Sequence, residues 1–284
     1  MGGLGNQMFQ YAFGRHLAEI HKCTLKLDLS FLLNKFQGAN VTIRKYELYK
    51  LNIIENIANQ NDINKFTRTT GLINIISQKI NPYKIIRETQ FHFDENILKS
   101  GKNSYSIDGY WQSEKYFKNI ENIIRNDFQI KADFKEKNKN LEEKIKSTES
   151  VSIHIRRGDY VTNEVTNNFH GICSVDYYQN AIKQISQLVS YPVFYIFSDD
   201  IEWAKTNIVS DFSTYYVDND VDSNDEDLKL MSMCKHHIIA NSSFSWWGAW
   251  LNPDLNKIVI APSKWFNDTS LDTKDLYPDN WIKI

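Results

Sequence analysis

From residue 151 onward the chain alternates short apolar runs with amphipathic stretches of about ten residues, a rhythm that admits few folds. Residues 151–155 place Val151, Ile153 and Ile155 in alternation with Ser152 and His154, the period of a strand. Ser174 is placed to cap a helix running to Leu188, with Tyr177, Ala181, Ile182 and Ile185 on one face. Strands are expected at residues 193–197, 214–217, 237–240 and 257–261, the last stopped by Pro262. Helices are expected around Trp203, from Asn224 or Asp225 to Met233, and from Ser243 through Trp246 and Trp250. Such an alternation builds a parallel sheet covered on both faces, with ligands expected at the carboxyl ends of its strands.

The first half is less regular. Glycines at positions 2, 3 and 5 suggest a turn ahead of a helix over residues 6–21. Residues 24–29 alternate Leu25, Leu27 and Leu29 as a strand would. Helix is expected within 53–80, a strand over 104–110 and a helix over 114–128. Between the halves, residues 131–150 are rich in Lys, Glu and Asn and read as a solvated helix of mixed charge and as the domain boundary. The division is therefore residues 1–135 and 136–284, an α/β unit in each; 284 residues suit two domains of this size.

Composition excludes several classes. The formal net charge of -2 gives no broad field for nucleic acid or an anionic membrane. Cys23, Cys173 and Cys234 lie far apart, poor material for a disulfide framework or a zinc site. No apolar run is long enough to cross a bilayer and no signal peptide precedes Gly2, so the expected location is the cytoplasm. Peripheral contact with a membrane stays open for a lipid-linked substrate.

Three motifs carry chemistry. His154-Ile155-Arg156-Arg157-Gly158-Asp159 lies where a strand ends, and two arginines there call for an anion, a diphosphate or a carboxylate. The expectation is one arginine on a ligand and the other, Arg157, braced by Asp159. The plainer alternative is a structural Arg–Asp pair. Asn241-Ser242-Ser243-Phe244 carries a strand into a helix start, where backbone N–H groups and hydroxyls accept an anion and Phe244 offers an apolar face; simple capping by the serines is the alternative. Trp246, Trp247 and Trp250 belong to the core. Gly2-Gly3-Leu4-Gly5-Asn6-Gln7 lacks the third glycine of a dinucleotide fingerprint, yet Gly5 permits close backbone approach to a phosphate or sugar and Asn6 adds an amide. Asp199, Asp200 and Asp227 sit at strand or helix ends, as ligands for ribose or base or as caps. Asp218-Asn219-Asp220 is a turn rather than a metal site, and His236-His237 is structural.

The stretches GGLGNQMFQYAFGR, GYWQSEKYF, HIRRGDYV, FSDD and DLKLMSMCKHHIIANSSFSWWGAW together resemble the bacterial α-1,2-fucosyltransferases, glycosyltransferase family 11. The resemblance spans both halves. It implies a GT-B architecture, two Rossmann-like domains facing a cleft, with the first on the acceptor side and the second binding GDP-fucose. It implies inverting transfer of L-fucose to the 2-hydroxyl of a galactose-terminated glycan, free or lipid-linked, without a metal. Residue by residue, it places Arg156 on the β-phosphate, His154 against the nucleotide, Ser243 and Phe244 beside the diphosphate and Asn6 near the reacting centre. By analogy with α-1,6-fucosyl relatives it offers Glu164, in the polar loop 161–169, as general base, with Asp159 as competitor. Transfer of another GDP-sugar, another fucosyl linkage, or glycan or nucleotide binding without catalysis are the alternatives. Members usually carry an apolar strand ahead of GGLGNQ; only Met1 precedes it here, so a first strand is expected to be absent.

Overall fold

The computed structural model describes residues 1–34, 44–67, 83–99, 104–220 and 223–284. The chain forms two compact units, the first of Met1–Gln129 with Asp272–Tyr277, the second of Ile130–Leu271 with Pro278–Ile284. Both are α/β with parallel strands. Among the described residues no helix is long and apolar enough to cross a membrane.

The first unit is organised on the helix Leu4–His21, which begins within the glycine turn. Its aromatic side packs into a cluster: Phe13 lies 4.5 Å from the Trp111 ring and 4.9 Å from that of Tyr116, and Tyr11 lies 5.6 Å from Phe128. The buried Tyr11 hydroxyl donates to Asp127 at 2.8 Å, and Arg15 pairs with the same carboxylate at 3.1 Å. Strands β1 (Tyr83–Arg87) and β2 (Ser104–Asp108) pair in parallel.

Three expectations change here. Residues 24–29 form no strand; Leu27 alone bridges to Ile57, and Leu25 and Leu27 line a cavity of ≈ 840 Å³ together with Gly14, Leu17, Tyr105 and Ile107. Alternation without a neighbouring strand to accept its hydrogen bonds gives extended chain and no ladder. Within 53–80 the helix is Gln60–Thr67, and 68–80 lies outside the described residues. The stretch 114–128 breaks into two 3₁₀ turns before the helix Glu121–Asp127.

The second unit follows its pattern closely. Its strands are β3 (Glu149–Ile155), β4 (Pro192–Ser198), β5 (Thr214–Val217), β6 (His236–Ile238), β7 (Val259–Ala261) and β8 (Ile282–Lys283). They lie in the order β5-β4-β3-β6-β7-β8, all parallel. The two-residue β8 has no signal in the sequence, whereas 131–150 holds the expected helix, Glu136–Ser147, and the start of β3. The helix Val175–Leu188 is capped by Ser174, which accepts from the Tyr177 N–H, and buries Tyr178, Ala181, Ile182 and Ile185 against the sheet.

Both faces of β3 are covered, so its polar residues must find partners inside. Ser152 Oγ lies 2.8 Å from His237 Nδ1, and His237 Nε2 lies 2.9 Å from Asn252 Nδ2. Burial holds His237 neutral, its pKa well below the ordinary value, as befits a structural histidine. Trp246, Trp247 and Trp250, on the helix Ser243–Leu251, are buried in mutual contact. Trp247→Ala should therefore destabilise the protein by about 3–5 kcal/mol, read as a lower midpoint in urea unfolding.

Candidate functional site

Strand order decides where the second unit presents its chemistry. From β3 the chain steps outward through β4 to β5, then returns to the other side of β3 for β6, β7 and β8. The direction of winding reverses between β3 and β6, and the crevice outside their carboxyl ends is the natural ligand site of such a sheet. The His154–Asp159 motif leaves β3 there and the Asn241–Phe244 motif follows β6. The two segments touch: the His154 ring centroid lies 5.5 Å from that of Phe244, and the Tyr160 hydroxyl donates to the Asn241 carbonyl at 3.4 Å.

His154 is buried, and its Nδ1 has no hydrogen-bond partner among the described residues. Burial first, and the neighbouring Arg156 charge second, push its pKa down to about 3. A neutral imidazole with an unspent nitrogen is suited to bind a polar ligand atom by hydrogen bond rather than by charge.

Arg156 carries a carboxylate on each terminal nitrogen. Nη2 makes a short contact with Asp159, and Nη1 pairs with Asp199 Oδ2 at 2.7 Å. Burial opposes its charge, but Asp199 and then Asp159 outweigh it, so the pKa is raised. Arg157 turns away: its guanidinium lies 3.9 Å over the Trp203 ring and its Nε pairs with Asp200 at 3.1 Å. This corrects the expectation that Asp159 braces Arg157. The chain enters a helical turn at Gly158, which brings residue 159 back under residue 156, three positions earlier. Asp200 does cap a helix, accepting from Trp203 N–H at 3.3 Å, whereas Asp199 accepts the Arg157 N–H at 2.8 Å and holds Arg156.

On the β6 side, Ser242 occupies the cap position of the helix Ser243–Leu251 but makes no side-chain cap bond, so simple capping does not explain it. Ser245 is the serine that turns inward, accepting from Ala240 N–H at 2.9 Å. Sequence reasoning passed over Asn241. Its buried amide donates to the carbonyls of His170 (2.9 Å), Gly171 (3.3 Å) and Trp265 (3.2 Å) and so ties three loops together. The available signal was an amide at a strand end, beside hydroxyls that drew the attention.

The segment 161–169, expected as a polar loop, is helical. Gly158–Thr162 is one turn, Asn163 caps Glu164–His170 through Thr166 N–H, and Gly171 ends it at φ 66°. Glu164 is exposed in the first turn. Gly5 and Asn6 lie in the first unit, on the helix Leu4–His21, where Asn6 Oδ1 accepts from Gln112 at 2.7 Å. Gly2, at φ +77°, leaves room for Asn6, since a Cβ there would come within 2.6 Å of its amide. Asp227 stands apart from the arginines, on the helix after β5, and accepts from Asn219 at 2.6 Å. Among the described residues no group of three or more His, Cys, Asp or Glu could hold a metal ion.

The switch point thus joins His154, Arg156, Asp159 and Asp199 to the Ser242–Phe244 turn, an arrangement suited to an anionic group bearing an apolar or planar moiety. The whole chain, residues 1–284, matches the family model described as Glycosyl transferase family 11. The chain belongs to that family and is a glycosyltransferase. It is 38% identical to an alpha-1,2-colitosyltransferase of Escherichia coli, over 100% of this chain and 96% of that one. It is 34% identical to the O-antigen biosynthesis glycosyltransferase WbnK of Escherichia coli, over 100% and 98%. A galactoside alpha-(1,2)-fucosyltransferase 1 of Leontocebus fuscicollis is 25% identical over 58% of this chain and 48% of its own.

Burial, only partly offset by Asn219, pushes Asp227 up to about 6. A carboxyl raised on folding binds its proton more tightly in the folded state, so stability falls as pH rises from the unfolded value toward 6. Asp227→Asn should therefore melt higher than the parent near pH 7.5, with the gap closing toward pH 4 in a thermal-melt series.

Proposed function

We propose that the protein transfers L-fucose from GDP-fucose, with inversion, to the 2-hydroxyl of a galactose-terminated glycan. The observation that carries this is Arg156 at the β3–β6 switch point, set opposite the Ser242–Phe244 helix start in a chain that matches family 11 throughout. As the sugar bond breaks, charge collects on the β-phosphate. Arg156, the hydroxyls of Ser242 and Ser243 and the helix N–H groups would bear that charge, with no metal in the step. His154 and Phe244 would receive the nucleotide, and Asp227 its ribose or base. Glu164, exposed and paired with neither arginine, is assigned as general base for the acceptor hydroxyl.

A second donor is favoured by one observation, the full-length 38% identity to an alpha-1,2-colitosyltransferase. Colitose lacks the 3-hydroxyl of fucose, a difference away from the anomeric carbon where the sugar bond breaks. The acceptor is assigned to the glycans of cell-surface polysaccharide assembly, in line with the relative named for O-antigen biosynthesis.

The test incubates the protein with GDP-fucose or GDP-colitose and a panel of galactose-terminated glycans, with product linkage read by NMR. An α-1,2 product that forms equally in EDTA is expected. A 1,3 or 1,6 linkage, or loss of activity in EDTA restored by magnesium, would overturn the assignment. Arg156→Ala should abolish turnover. Glu164→Gln should lower kcat about a hundredfold with GDP affinity unchanged.

A further inference from the structure

The two carboxylates on Arg156 are built differently. Asp199 sits just past the end of β4, whose Ser198 is in register with Ile155 of β3. Both its oxygens are committed, Oδ1 to the Arg157 N–H at 2.8 Å and Oδ2 to Arg156 at 2.7 Å. Gly158 passes directly over it, and a Cβ there would come within 2.5 Å of Oδ2. Asp199 is therefore clamped by the backbone of Arg157 and Gly158, just past β3. Asp159, by contrast, reaches Arg156 from a single five-residue turn, three positions along the same segment.

Charge makes the difference consequential. In this cluster Arg156 and Arg157 face Asp159, Asp199 and Asp200, two cations against three carboxylates. A nucleoside diphosphate entering the crevice brings about two further negative charges, and like charges at such range oppose one another strongly when partly buried. A carboxylate that withdrew from Arg156 would relieve that repulsion and free N–H donors for the phosphate.

We propose that Asp199 is a fixed brace that orients Arg156, while Asp159 is a placeholder on Nη2 that the donor's diphosphate displaces. Asp199 is thus a positioning residue, and the sequence-based reading of it as a direct nucleotide ligand is replaced by this one. Asp159 keeps the partly buried cation paired while the site is empty, because an unpaired one would be costly. Its withdrawal hands a complete guanidinium edge to the phosphate, which binds such an edge through two parallel hydrogen bonds.

The proposal rests on the nucleotide-sugar reading only in taking a diphosphate as the ligand. The test therefore uses inorganic pyrophosphate beside GDP. Calorimetric titrations compare the parent, Asp159→Asn and Asp199→Asn, with kcat and KM measured for the same three proteins. Asp159→Asn should bind both pyrophosphate and GDP about three- to tenfold more tightly, since a competing charge is gone. Asp199→Asn should lose about a hundredfold in kcat through a misaimed guanidinium, with a much smaller change in GDP affinity. Weaker or unchanged pyrophosphate binding in Asp159→Asn overturns the placeholder, and an unchanged kcat in Asp199→Asn overturns the brace. If Asp199→Asn fails to fold, the pyrophosphate titration of Asp159→Asn still decides the exchange. A GDP reading that is wrong shows separately, as no preference for GDP over UDP while the pyrophosphate series behaves as stated. Absence of pyrophosphate binding in all three proteins overturns the exchange itself.

Discussion

The second unit depends on a charge problem solved at the carboxyl end of its central strand. Two adjacent arginines leave β3 where the sheet is covered on both faces, and neither can be left unpaired in that setting. The solution separates them. Arg157 is stacked on Trp203 and held by Asp200 at the start of the next helix, which welds the loop to β4. Arg156 is kept at the crevice between Asp199 and Asp159. The separation follows from strand geometry, because consecutive residues leave a strand on opposite sides. One cation becomes part of the frame and the other is left facing the ligand side.

The same strand shows why the buried interior tolerates so much polarity. Ser152 and His154 share the polar phase of β3, yet their environments diverge. Ser152 closes a bonded chain with His237 and Asn252 deep in the sheet. His154, two residues nearer the crevice, keeps an unpartnered Nδ1 and is pushed down to about 3. A buried polar atom without a partner is costly to a fold and is retained where a ligand supplies the missing bond. On β3 the unsatisfied atom lies at the end of the strand rather than its middle, on the side of the candidate site.

Much of this was legible in the sequence because the second unit obeys local rules consistently. The strand at Thr214–Val217 and the helices Val175–Leu188 and Asn224–Met233 fall where period, capping residue and stop signal agree. The first unit was harder for a physical reason. Leu25, Leu27 and Leu29 have the alternation of a strand, but alternation reports only a face, and a ladder needs a neighbour that sequence cannot supply. At the candidate site, chain position alone set the two motifs at strand ends, and they do follow β3 and β6. The partners within it were not readable, since Asp159 could reach Arg157 or Arg156 depending on whether the loop turned helical at once. The role of Asn241 escaped for a similar reason: its acceptors, at 170–171 and 265, are distant from it in the chain.

The two sides of the crevice supply different kinds of electrostatics. The β3 side supplies full charges, already compensated by carboxylates, so its pull on an anion depends on what those carboxylates do. The β6 side supplies hydroxyls and the free N–H groups of the Ser243–Leu251 helix, dipoles that are fixed by the fold and need no counter-ion. For a diphosphate leaving group these are complementary. Dipoles can hold the ground state without large desolvation cost, while on the proposed exchange the guanidinium would meet the charge that grows during bond breaking.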